Sequence, residues 1–288
     1  MGPMKTRFFL LIVLVVCSFT YCKRSKTKLT TKPAVSSAAK KDPAHQNPGR
    51  PAAMADATTI MLRPQVPVLC YHRLREWKPD EKASMKAYIV PIANFKAQIK
   101  MLADSGYHTI TPDEYYAYLA YGAPLPSKPV MITFDDTSEE HYTIAFPELQ
   151  KYGFNGTFFI MTVSLGRPGY MTKEQVKDLS DKGQVIASHT YDHHNVKQYE
   201  GQDYDNQMLK PKEKLEAIIG KKVDYFAYPF GEWKAAAIPE LQKRNYKAAF
   251  QLVGKRDSTE PLYTIRRMIV PGAWDGVTLH KWMKTNFK

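Results

Sequence analysis

The run Val130-Met131-Ile132-Thr133-Phe134-Asp135-Asp136 decides how this chain folds. Its first five residues carry no charge, the pattern of a strand covered on both faces. Its last two residues place adjacent carboxylates at that strand's carboxyl end. A second continuous run extends from Phe154 to Met161, and shorter ones follow at 184–188, 223–228 and 247–252. Upstream, Val66 to Cys70 forms another that ends in Tyr71 and His72. Helix-patterned segments separate them: Phe95, Ile99 and Leu102 at helical spacing before Ser105-Gly106, then Leu215, Ile218 and Ile219, then Ile238 and Leu241. Two helix starts are explicit, Thr111-Pro112 with Glu114 and Thr172 with Gln175, each a capping box. This alternation predicts an α/β domain with a largely parallel sheet, and the strand count suits a barrel better than a small open sheet.

The formal net charge is +13, but residues 1–60 contribute +8 of it. The remaining +5 leaves the folded part mildly basic, with no basic stripe interleaved with aromatics, so nucleic acid is not an expected partner. Lys5 and Arg7 precede an apolar run from Phe8 to Val16, the pattern of an export signal over residues 1–22. Cys22, followed by Lys23 and Arg24, resembles the lipid-bearing cysteine of bacterial lipoproteins, although Tyr21 is unusual before such a site; Cys17 is the other cysteine of this segment. Residues 23–60 are rich in Lys, Thr, Ala, Ser and Pro and read as a flexible basic linker, leaving 61–288 as the folded domain. The expected location is the cell envelope, through a lipid anchor, or otherwise the secreted fraction. Cys70 lies far from the other two cysteines, so no disulfide framework is expected.

In parallel α/β folds reactive residues collect at strand carboxyl ends. Asp135 and Asp136 stand there, and so does the second polar cluster, His189-Thr190-Tyr191-Asp192-His193, after Val185 to Ser188. Adjacent aspartates also serve as turn or capping residues, and paired histidines also occur on solvated turns. Histidines four apart on one helical turn bring their ring nitrogens to one ion. The zinc-protease motif is excluded, since Thr190 stands where its glutamate belongs. One aspartate with two histidines leaves coordination positions open, which suits catalysis; a divalent ion acidifies water and polarises a carbonyl, and the second carboxylate is free to take a proton.

Over roughly residues 64–272 these motifs resemble the polysaccharide deacetylases with a NodB-type domain. The resemblance implies an incomplete, distorted (β/α) barrel of about seven parallel strands. It implies Asp135 as catalytic base and Asp136, His189 and His193 as ligands of a divalent ion, Zn²⁺ foremost and Co²⁺ as an alternative. Phe226-Ala227-Tyr228-Pro229-Phe230-Gly231 resembles the segment forming one wall of the groove, with the Phe230 N–H as an oxyanion donor. Many relatives carry an arginine early in that segment that orients the base; Ala227 and Tyr228 occupy it here, and Arg267 is the candidate replacement, set against the ordinary reading of a solvated or paired strand-end arginine. Pro67-Val68-Leu69-Cys70-Tyr71-His72 resembles the permuted branch that deacetylates poly-N-acetylglucosamine, which makes His72 the general acid in preference to His280, read as a surface histidine near Trp282. Trp233 and Trp274 are candidates for sugar stacking or for core packing. Relatives commonly have glycine after the second aspartate. Thr137 stands there, and because a β-branched residue resists positive φ, the loop is expected to take another course.

The implied reaction is removal of N-acetyl groups from an N-acetylhexosamine-containing polysaccharide, with release of acetate, by a monomeric chain. A metal-dependent O-acetyl polysaccharide esterase would use the same residues. A non-haem iron oxygenase would have little need of the second aspartate, and a non-catalytic glycan-binding relative is the remaining alternative.

Overall fold

The computed structural model describes residues 53–287 and, apart from them, Gly2. The segment expected to be an export signal, with Cys17 and Cys22, and the expected linker as far as residue 52 lie outside the described residues, Gly2 apart. The first described helix, Ala57–Leu62, corrects the linker boundary of 60: Asp56 accepts a hydrogen bond from the Thr59 N–H at 2.7 Å, and Ile60 is buried. A single apolar anchor in a polar stretch makes no periodic pattern. Among the described residues no helix is long and apolar enough to cross a membrane.

The strands in chain order are β1 (Val68–Tyr71), β2 (Arg73–Leu74), β3 (Ile89–Val90), β4 (His108–Thr109), β5 (Pro129–Phe134), β6 (Gly156–Ile160), β7 (Val185–Ser188), β8 (Tyr225–Ala227), β9 (Ala248–Phe250) and β10 (Met268–Ile269). Seven of them form one parallel sheet in the order β10-β1-β5-β6-β7-β8-β9, with β4 added beside β5; β2 and β3 pair separately. The capping boxes at Thr111 and Thr172 start the helices Pro112–Tyr121 and Lys173–Asp181 as the sequence requires. The segment 276–279, which precedes His280, belongs to the helix Gly276–Asn286, and His280 sits edge-on to Tyr107 away from the aspartates.

The two edges of the curled sheet are brought together by one stretch of chain. The Gln251 N–H donates to the Ile265 carbonyl at 2.9 Å and the Arg267 N–H to the Leu252 carbonyl at 3.2 Å, beyond the end of β9; β10 then pairs with β1. First and last strands are therefore neighbours, as a barrel requires.

Strand alternation divides the side chains. Leu69, Tyr71, Ile132, Phe134, Phe158 and Ile160 face outward onto Phe95, Ile99 and Leu102 of the helix Ile92–Asp104, with Phe134 stacked on Phe158 at 4.9 Å. Val68, Met131, Phe159 and Ala187 fill the interior with side chains of β8 and β9. The interior row of β5 runs Met131, Thr133, Asp135, so the first aspartate emerges at the mouth of the barrel.

The loop beyond it departs from expectation. Asp136 and Thr137 both take left-handed backbone, with φ of 73° and 66°. Thr137 adopts the conformation its branched side chain resists because its contacts hold it there: buried Oγ1 accepts from the Met161 N–H at 2.7 Å, and its carbonyl accepts from Met171 N–H at 3.0 Å. Thr137→Ala keeps the unfavourable φ and strips the partner from Met161, and should cost about 1–3 kcal/mol. Thr137→Gly relieves the φ and should be more stable than the alanine variant by about 1 kcal/mol. Urea unfolding of the two variants gives the order; alanine above glycine would refute this account of the loop.

Candidate active site

Four strand ends and one strand start build the site. Asp135 and Asp136 follow β5, His189 follows β7, Phe230 follows β8, His72 follows β1, and Arg267 precedes β10.

Arg267 is 1% exposed, so the solvated reading of this residue fails. Its guanidinium grips Asp135 with two parallel bonds, 2.6 Å to Oδ1 and 2.7 Å to Oδ2. It also donates to Thr133 Oγ1 and the Gln251 carbonyl, each at 3.2 Å, and lies over the Phe159 ring. Burial raises the cost of charge at Asp135, yet the Arg267 charge outweighs it and holds the carboxyl well below the usual carboxylate range. Cys70, two residues before His72 on the same interior row, sets its Sγ 3.5 Å from Asp135 Oδ2 and 4.0 Å from His72 Nδ1. Cys70, His72 and Asp135 offer donor atoms within 4.8 Å of one another. The period of two along β1 and β5 would have found Cys70 and Thr133 as neighbours of the site.

Asp136 is placed differently. Its Oδ1 is buried with no hydrogen-bond partner, and it stands 3.4 Å from Nε2 of both His189 and His193. His189 Nδ1 faces the Ala227 carbonyl at 2.8 Å, which assigns the ring proton to Nδ1 and leaves the Nε2 lone pair aimed at Asp136. The three donor atoms thus lie within 4.8 Å of one another. A proton or a cation relieves that arrangement; burial pushes the pKa of His193 down to about 4, while at His189 the charges of Asp135 and Asp136 outweigh burial and raise it. The donor set, two imidazoles and one carboxylate, suits a divalent transition metal.

The histidines do not converge on a helical turn. Residues 189–193 form a non-helical loop in which Thr190 and His193 take φ of 69° and 66°. Thr190 Oγ1 accepts from the His193 N–H at 2.9 Å, and Gln207 Oε1 accepts from Tyr191 N–H at 3.1 Å. Phe230 is also left-handed, at φ 60°, and its exposed ring packs edge-on to His193 at 4.4 Å. Among the described residues, seven non-glycine residues have positive φ, and five of them are Asp136, Thr137, Thr190, His193 and Phe230. Such outliers concentrate at functional sites. Trp233 bonds Gln251 and packs, partly buried, on the interior cluster, while Trp274 stacks on Trp282; the exposed rings near the site are Phe230, Tyr191 and Tyr88.

Comparison with known proteins agrees with this geometry. Residues 122–249 match the family model described as polysaccharide deacetylase. A provisionally named polysaccharide deacetylase of Bacillus subtilis, YxkH, is 29% identical over 213 residues, 74% of each chain. The poly-beta-1,6-N-acetyl-D-glucosamine N-deacetylase of Staphylococcus aureus is 27% identical over 239 residues, covering 72% of this chain and 82% of its own. The Streptococcus pyogenes deacetylase PplD, solved with acetate, superposes with a TM-score of 0.71 at 24% identity over 78% of this chain and all of its own, which shows the common fold. With the family model spanning both the aspartate pair and the histidine pair, and the fold shared over most of the described residues, residues 122–249 carry a polysaccharide deacetylase domain.

Proposed function

We propose that the protein is a divalent-metal-dependent N-deacetylase acting on an N-acetylhexosamine polymer, with poly-β-1,6-N-acetylglucosamine, the substrate named for the Staphylococcus aureus relative, as the first candidate. The observation that carries this reading is the unequal state of the two aspartates. Asp135 is gripped at both oxygens by Arg267, while Asp136 Oδ1 is buried, unpartnered and 3.4 Å from Nε2 of both His189 and His193.

Asp136, His189 and His193 are the residues that would hold the ion. When bound, it supplies Lewis acidity, acidifying water beside it and polarising the acetyl carbonyl. The low basicity of Asp135 fits that service, because a carboxylate held so far down accepts a proton only from acidified water. Arg267 occupies one lone pair on each Asp135 oxygen and Cys70 Sγ approaches Oδ2, which leaves the second lone pair of Oδ1 for that proton. Phe230 sits on a left-handed turn beside His193, and its N–H is proposed as a donor to the developing oxyanion, a contribution worth about 2.7–4 kcal/mol where such donors have been removed. His72, within 4.8 Å of Asp135, donates a proton to the departing amine. An O-acetyl ester would need that proton less, since an alkoxide is a better leaving group than an amide anion. Export and a lipid anchor at Cys22 complete the proposal, and mass spectrometry of the mature N-terminus tests them.

Three outcomes follow. Chelation should abolish acetate release, with Zn²⁺ or Co²⁺ restoring it, and calorimetry should find one tight ion per chain that Asp136→Ala removes; full turnover in chelator would end the metal reading. Asp135→Asn should lower kcat by at least about 10²-fold while retaining the ion, and unchanged turnover would refute the base assignment. Arg267→Met leaves a buried carboxylate uncompensated and should destabilise the fold by about 3–5 kcal/mol as well as lowering kcat; a thermal melt and acetate assay on the same sample check both.

A further inference from the structure

The peptide unit after His72 is held on both sides. Its carbonyl accepts a hydrogen bond from His141 Nε2–H, and its N–H, that of Arg73, donates to the Tyr88 carbonyl at 3.0 Å. One residue earlier, the Tyr71 carbonyl accepts from the Asp135 N–H at 3.0 Å. One residue later, the Arg73 guanidinium makes two bonds to the Glu140 carboxylate, at 3.2 and 2.7 Å. Residues 71–73 are thus fastened at three successive positions to the segment 135–141.

His141 is the least expected of these fasteners. It opens a π-helical turn, His141–Ala145, a geometry that recurs at functional sites. Its ring is wholly buried, 5.3 Å from the Phe134 ring and 6.4 Å from that of Phe158, and its Nδ1 has no partner. An apolar ring would fill this pocket without leaving a buried nitrogen unpaired. What the imidazole adds is one N–H, directed at the His72 carbonyl. Because Nε2 faces a carbonyl it carries the ring proton, and burial keeps the ring neutral by pushing its pKa down to about 4.

We infer that His141 is a positioning residue for His72: through the His72 carbonyl its Nε2–H fixes the backbone from which the acid's ring is aimed at the leaving nitrogen. The inference rests on the reading of His72 as general acid. Neither the aspartate pair nor the histidine pair touches His141 by hydrogen bond, so its effect should be confined to the acid's half of the reaction.

Two substrates separate that half from the rest. An N-acetylglucosamine oligomer expels an amine, which must be protonated; 4-nitrophenyl acetate expels a phenolate, which need not be. His141→Phe should lower kcat on the oligomer by about 10–100-fold with KM unchanged, and should hold ester hydrolysis within about threefold of the parent. His141→Gln, which places a donor near the Nε2 position, should recover most of the loss. His72→Ala should show the same selectivity, and adding His141→Phe to it should cost nothing further. Equal loss on both substrates in a folded variant, or an additive double variant, overturns the positioning role. If His72→Ala itself affects the two substrates equally, the acid assignment falls and takes this inference with it; a selective His72→Ala beside a silent His141→Phe overturns the inference alone. Nitrogen-15 histidine NMR of the metal-free chain reads the contact without turnover. A slowly exchanging Nε2–H at His141 and a shifted His72 resonance in the phenylalanine variant are expected, and an unmoved His72 resonance overturns the proposal.

Discussion

A guanidinium inside a barrel is the constraint on which the rest of the structure depends. Arg267 reaches the interior from the start of β10, where an unpaired charge would be expelled or would unfold the domain. Both Asp135 oxygens, Thr133 Oγ1 and the Gln251 carbonyl surround it, so its donors are matched by acceptors from β5 and from the end of β9. The pair therefore does two things at once. It fixes the carboxylate at the mouth of the sheet, and it ties the stretch that bridges the sheet's edges to the central strand. Joining of the sheet's edges and orientation of the Asp135 carboxylate rest on the same contact.

That coupling explains why the neighbouring backbone is so unusual. With Asp135 pinned from below, the chain must turn within one residue to aim Asp136 at the histidines, and two successive left-handed residues achieve this. Thr137 then spans to Met161 beyond β6, and Thr190 holds His193 beyond β7. The first bond crosses to the neighbouring strand end and the second closes its own loop, so each left-handed stretch is offset by a hydrogen bond from a threonine hydroxyl.

The sequence disclosed the parts governed by short-range rules. Continuous apolar runs gave six strands of the main sheet, and the two capping boxes at Thr111 and Thr172 appear as written. The aspartate and histidine motifs were legible because polar residues ending an apolar strand have few structural reasons to be there. What stayed hidden was set by distant contacts. β10 has only two residues and takes its pairing from β1, so no periodicity marks it. Arg267 could be named from the sequence as a candidate partner of Asp135, but its two-bond grip across 132 residues of separation, at 2.6 Å for the shorter bond, was set by the fold. The conformation of Thr137 ran against its own preference, and only the Met161 amide explains it. Helical spacing predicted the meeting of His189 and His193 for the wrong reason: a left-handed loop, not a helix, brings them together.

His72 and Arg267 come from opposite ends of the folded domain, yet both reach Asp135 from the same side because β1 and β10 are neighbours. Their separation in sequence is thus a poor guide to their independence. His72 is carried by the first strand, its backbone contacts by the segment after Asp135, and the partner of Asp135 by the residue before the last strand. The Arg267–Asp135 contact needs the stretch before β10 in place, whereas those that hold His72 are made by β5 and the segment after it. Asp136, His189 and His193 stand on the ends of β5 and β7, apart from that counter-charge. In the proposed reading, ion binding draws on residues at the ends of β5 and β7, and hydrolysis needs in addition His72 and Arg267 from the neighbouring strands β1 and β10.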